Sequence, residues 1–203
     1  DGVDFVAGGF RTEAVFGARE VAMQHQRIFT ITGASTDELI DTPDIVKYPD
    51  TVRANYAKYK YMFRVMPVNS TTLFKSIAGF LKYTMITKMM PIFSGYYSPS
   101  QVPLKIAVVS EDLTWTIVMH AMLSSEYFWN TVMGMTQPPS PGYPPLPGVK
   151  VVYQARVSDR DPAWVPGVLA DIDASGARLV IEVISGPVGR AFATQWGTVQ
   201  IKA

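Results

Sequence analysis

Apolar positions along the chain fall into short runs that behave as strands, and between them into stretches spaced as one face of a helix. Phe5-Val6-Ala7, ahead of Gly8-Gly9, reads as a buried strand. Thr12 to His25, with Val15, Ala18 and Ala22 at helical spacing, reads as the helix after it. Arg27 to Thr32 is the next strand and Met62 to Val65 a shorter one. Asn69 or Ser70 is placed to cap a helix whose Leu73, Ile77, Phe80 and Leu81 form its apolar face. Lys105 to Ser110 is the clearest buried strand; it leads through Glu111-Asp112 into a helix predicted from about Thr114 to Phe128. Val149 to Arg156 is a strand, and Trp164, Val165, Val168, Leu169 and Ile172 are spaced for a helix. Leu179 to Ile184 is a further strand, and Gly186-Pro187-Val188-Gly189 starts the last helix.

Strands that alternate with helices throughout predict an α/β chain with parallel, doubly wound sheets. In such sheets ligands sit outside the carboxyl ends of the strands, where Thr12, Ser35 and Asp112 fall. Gly8-Gly9-Phe10-Arg11-Thr12 and Ile31-Thr32-Gly33-Ala34-Ser35 each run a strand into a small, hydroxyl-bearing turn. Backbone N–H groups and hydroxyls in those turns would point together at one anionic ligand. Capping of a following helix is the competing reading of Thr12 and Ser35, and the two are compatible. Plain core is the competing reading of Trp115.

Proline alters the picture twice. Pro91 to Pro103 is aromatic and rich in Pro and Ser, and Gln137 to Gly148 carries six prolines, which makes it a stiff extended loop. The alternation restarts after the first of these. Residues 1–103 are therefore expected to be part of an N-terminal lobe and 104–203 part of a C-terminal lobe, with the proline-rich loop at 137–148 as an excursion from the second.

Among 203 residues, 48% are apolar and 17% charged, which fits a globular chain. A net charge of +1 gives no footprint for nucleic acid or for a polybasic membrane surface. Cysteine is absent, so disulfides, thiolate metal sites and cysteine nucleophiles are absent with it. No apolar run reaches membrane-spanning length. The sequence starts at Asp1 without a basic or apolar leader, so any signal or lipid anchor is expected outside it.

Candidate chemistry is sparse. Glu111 and Asp112 follow a strand end, where paired carboxylates hold metals or act as acid and base; without a third ligand in range, a polar rim or helix cap is the expected role. His25 and His120 stand alone, and His25 reads as a solvated helix-end residue. Asn69-Ser70-Thr71 matches a glycosylation acceptor, but a helix cap explains it equally. Gly186-Pro187-Val188-Gly189 lacks the full dinucleotide fingerprint, and Walker-type loops and the Gly-x-Ser-x-Gly elbow are absent. No cofactor or metal is expected.

The ordered series of segments resembles the type I periplasmic binding proteins, particularly the branched-chain amino acid receptors of ABC importers. The likeness rests on GVDFVAGGFRTEA at 2–14, ITGASTDEL at 31–39, YMFRVMPVNS at 61–70 and KIAVVSED at 105–112, and continues from Val149 to Trp196. It covers nearly all of this chain but only part of the family's length, and it implies two incomplete doubly wound lobes. A hydroxyl in the first turn and small or hydroxyl residues in the second would bind a ligand carboxylate; these fall on Thr12 and on Gly33, Ala34 and Ser35. The aromatic that closes over the ligand matches Trp115, and a further contact falls near Ser185.

Thr12 and Thr-Gly-Ala-Ser replace the family's frequent Ser and Pro-Ala-Ala-Thr, and hydroxyl chemistry survives the change. The acid that pairs with the ligand ammonium is expected beyond Ala203. By this resemblance the chain is a periplasmic or extracellular receptor, not an enzyme, that takes an amino acid-like molecule between two lobes and docks on a membrane permease. The alternative is the ligand-sensing domain of a receptor or transcriptional regulator.

Overall fold

The computed structural model describes residues 2–40, 51–66, 69–84, 103–137 and 146–198. They divide into two compact units, Asp1–Lys75 and Ser76–Ala203.

The first unit is built on a parallel sheet of β1 (Phe5–Gly8), β2 (Ile28–Ile31) and β3 (Met62–Arg64), in that order. The register sets Val6 against Phe29 and Phe29 against Met62. Helix α1 (Thr12–Gln24) buries Thr12, Val15, Arg19, Ala22 and Met23, a stripe at helical spacing, and Phe29, Ile31 and Met62 share its core. Helix α1 stops where Gln26 turns left-handed at φ 52° and the Arg27 N–H returns to the Ala22 carbonyl at 2.9 Å. Arg19 is buried among rings, its guanidinium 4.8 Å from Phe16 and 4.6 Å from Tyr59. Glu20 accepts the Tyr59 hydroxyl at 2.8 Å and pairs with Lys58 at 2.8 Å, tying α1 to the short α2 (Tyr56–Tyr59).

Strand β1 forms as expected but is not buried: Phe5 is 54% exposed. The described helices cover only the Phe29/Ile31/Met62 face, and Phe5, Ile28 and Phe63 point the other way. Helix α3 (Ser70–Phe80) starts where predicted, but its buried stripe is Ser70, Phe74, Ala78 and then Leu81. Leu73 and Ile77 are half-buried and Phe80 faces solvent, so the helix is rotated about one position from the expected face.

The second unit centres on β4 (Leu104–Glu111), flanked in parallel by β7 (Val149–Val157) and β8 (Leu179–Val183) in the order β7-β4-β8. Its Ile-Ala-Val-Val run is buried on both faces, as a central parallel strand requires. Val165, Leu169 and Ile172 of α5 (Val165–Ser175) and Phe192 of α6 (Gly186–Thr198) pack on Ala107 and Val109. Gly176, left-handed at φ 68°, closes α5.

The single helix expected from Thr114 to Phe128 is three pieces: a 3-10 turn at Thr114–Thr116, α4 (Ile117–Leu123) and a π-helical turn at Phe128–Val132. Ser125 makes the break. Its hydroxyl accepts the Phe128 N–H at 3.2 Å, offering the backbone an alternative to continued helix. Around the proline run, β5 (Thr136–Gln137) and β6 (Leu146–Pro147) pair antiparallel. Residues 138–145 and the Pro91–Pro103 segment as far as 102 lie outside the described residues. No described helix is long and apolar enough to cross a membrane.

Candidate functional site

At the carboxyl edge of the first sheet, backbone hydrogen bonds stitch together the turns that follow its strands. The Gly9 carbonyl accepts the N–H groups of Gly33 at 3.1 Å and Ala34 at 2.9 Å, and the Ser35 carbonyl accepts the Ser70 N–H at 2.7 Å. The first two turns touch so closely that a Cβ on Gly33 would stand 2.8 Å from the Phe10 Cα. The sequence-predicted Thr12, Gly33, Ala34 and Ser35 thus share one edge. The Gly33 and Ala34 N–H groups, however, are spent on Gly9 rather than turned outward. Thr12 is 1% exposed, whereas Ser35 is half-buried.

Neither hydroxyl is a helix cap. Arg11 occupies the cap position of α1 without a side-chain capping bond, and Thr36, not Ser35, caps the next turn by accepting the Glu38 N–H. Helix α3 receives two caps, since Asn69 Oδ1 accepts the Thr72 N–H at 2.7 Å and Asp37 Oδ2 accepts the Thr71 N–H at 2.9 Å. The Asn69 of the glycosylation pattern therefore has a structural use. Arg64, partly buried, donates to the Thr36 carbonyl.

The carboxyl edge of the second sheet is organised by Glu111, the last residue of β4 and only 1% exposed. Its Oε1 accepts the Trp115 indole N–H at 2.7 Å, its Oε2 the Ser185 backbone N–H at 3.0 Å, and both oxygens lie within 3.0 Å of Ser185 Oγ. Trp115 and Ser185, predicted separately, are thereby joined through one carboxylate. Glu111 is thus a buried brace rather than the polar rim or helix cap expected of it, and Asp112, which is exposed, pairs at 2.6 Å with Arg156. Sequence reasoning missed the brace because Ser185 reaches Glu111 only through tertiary folding. The one available signal was a glutamate closing an otherwise apolar strand.

His120 has a partner of another kind than a metal ligand: its Nδ1 lies 2.8 Å from Ser110 Oγ. Ser110 is fully buried, so this hydroxyl is closed to a substrate. Burial, and then the charge of Arg156, hold His120 below the ordinary histidine value. The unfolded chain therefore takes up this proton at higher pH than the native one. The contribution of His120 to stability is complete above pH ~6.5 and is lost as pH falls from there through the lowered native value. Urea midpoints at pH 7.5 and 5.5 should differ in that direction, and His120→Gln should flatten the difference; an equal acid loss in the variant would assign it to other groups.

Among the described residues no three His, Cys, Asp or Glu side chains cluster as metal ligands. Hollows of about 390 Å³ beside Glu20, Lys58 and Lys60 and about 410 Å³ beside Arg178, Glu182 and Trp196 lie away from both carboxyl edges.

Compared with known proteins, the chain matches no family model, and the search of curated proteins found no significant relative. Among solved structures it is similar to one from Silicibacter pomeroyi, provisionally described as a branched-chain amino acid ABC transporter, with 14% identity and a TM-score of 0.53. The match covers 98% of this chain and 41% of that one, so the chain spans about two fifths of that structure's length. The fold is accordingly periplasmic-binding-protein-like, two parallel three-stranded sheets flanked by helices.

Proposed function

We propose that the chain is part of an extracytoplasmic solute-binding receptor of an ABC importer, one that takes an amino acid of the branched-chain type and performs no chemistry on it. The observation that carries this reading is the convergence of Trp115 and Ser185 on Glu111 at the carboxyl edge of a parallel sheet, where α/β sheets bind ligands. The fold likeness supports it, as does the burial of Ser110, which closes the hydroxyl beside His120 to a substrate. A permease in the membrane is the proposed partner. The change of lobe is proposed near Pro103, with the first sheet in one lobe and the second in the other.

Calorimetric titration of leucine, isoleucine and valine into a protein that carries this chain with both lobes complete tests the reading. Ser35 is the residue to vary at the carboxylate end, because its side chain is not fully covered. A hydroxyl bonded to a carboxylate contributes about 1.5–3 kcal/mol, so Ser35→Ala should weaken binding roughly tenfold to a hundredfold with an unchanged melting midpoint. Absence of heat with all three amino acids, or a variant that binds like the parent, would defeat the assignment.

A further inference from the structure

We infer that the free edge of β7 is guarded against pairing with a second copy of this chain, with Glu126 and Asn130 standing in for a neighbouring strand.

Among the described residues β7 ends the order β7-β4-β8, so one of its edges faces away from the sheet. The Leu104 N–H bonds the Gly148 carbonyl at 2.9 Å, which turns Gly148 toward β4. Successive residues of a parallel strand present their backbone groups to opposite sides, so those of Val149 and Val151 point outward. Outward N–H and C=O groups in a row are a template for another strand. The run Val149-Lys150-Val151-Val152-Tyr153 is also rich in β-branched and aromatic residues, a composition that pairs readily with itself. Every copy of the chain brings the same run.

Side chains already occupy this edge. Asn130 Nδ2 donates to the Val149 carbonyl at 2.9 Å while its Oδ1 accepts the Val149 N–H at 2.7 Å, the reciprocal pair of bonds that another strand would make. Four residues earlier, Glu126 Oε1 accepts the Val151 N–H at 3.0 Å. Asn130 belongs to the π-helical turn, where the Met133 N–H reaches the Phe128 carbonyl at 2.8 Å and the buried Trp129 anchors the backbone. Gly148 leaves the room: at φ 91°, a Cβ on it would stand 3.0 Å from Asn130 Oδ1.

A second device of another kind falls on the same edge. Ile106 pairs with Val151 but Ala107 with Tyr153, so the register passes over Val152. Such a bulge bends and twists the strand away from a straight partner. The Glu126 side chain is exposed, so an incoming strand would have to expel a solvated carboxylate as well as break its bond.

The test is Glu126→Ala/Asn130→Ala in a protein that carries this chain with both lobes complete. Sedimentation should show a larger species that grows with concentration and is lacking in the parent at the same concentrations. Hydrogen exchange over residues 148–157, read by mass spectrometry, should run roughly tenfold faster than in the parent when the variant is dilute, the scale of one lost hydrogen bond, and slow again when it is concentrated. Instability alone would speed exchange at every concentration. Glu126→Gln keeps an acceptor and should behave as the parent. Adding Val151→Pro to the double variant removes an outward donor at an edge, where proline is tolerated, and should disperse most of the larger species.

Glu126→Ala alone removes one exposed side chain and leaves Asn130 in place. It should do the same to a lesser degree, and it decides the matter if the double variant does not fold. Variants that sediment as the parent does at every concentration overturn the inference. Association undiminished by Val151→Pro overturns it too, because the contact then lies elsewhere.

Discussion

Trp129→Ala should cost the second unit about 3–5 kcal/mol, the range for deleting a buried indole. Trp129 is fully buried on the π-helical turn at Phe128–Val132, packed edge-on against Phe128 with ring centroids 5.3 Å apart. Its indole N–H also bonds the Leu123 carbonyl at 2.7 Å, joining the end of α4 to the turn beyond the Ser125 break. Removing the ring opens a cavity and strips that carbonyl of its partner together. Against a whole-domain stability of roughly 5–15 kcal/mol, such a loss moves the urea midpoint severely. A fall below about 1 kcal/mol would mean that the surroundings collapse to fill the space.

Gly9→Ala is the second large expectation. Gly9 sits at φ 90°, and a Cβ there would stand 2.2 Å from Cγ2 of Val15, itself fully buried. The left-handed backbone costs a residue with a Cβ about 1–2 kcal/mol, and forcing a methyl into packed core about 1–3 more. Because the Gly9 carbonyl holds the Gly33 and Ala34 amides, the displacement should reach the second turn and weaken leucine binding along with stability. Gly17→Ala is the control: it lies on α1 with nothing within 4 Å of its Cβ, and it should raise stability by up to about 1 kcal/mol. If both variants melt alike, the crowding at Gly9 is not real.

What could be read beforehand divides along physical lines. Strand β4 was legible because a two-sided buried strand writes its burial into every position from Ile106 to Val109. Helices α1, α5 and α6 were legible because one face of each meets a sheet. The exposure of β1 was not legible, since an apolar strand looks the same whether or not something covers its second face. The rotation of α3 and the break at Ser125 turn on which neighbours pack and on one hydroxyl, matters that spacing does not encode. At the site, the topology put Thr12 and Gly33–Ser35 on one edge, but the outward N–H groups expected there were already taken. Glu111 was visible as a carboxylate and invisible as a brace, because its burial comes from Ser185, which lies 74 positions later.

Amide protons at Gly33 and Ala34 trade with solvent deuterium only when their bonds to the Gly9 carbonyl open. Their exchange rates therefore report on the turn after β1, a different stretch of sequence, as much as on their own. A deuterium trace of residues 33 and 34 becomes a clock for how often the two turns come apart, readable with no ligand present.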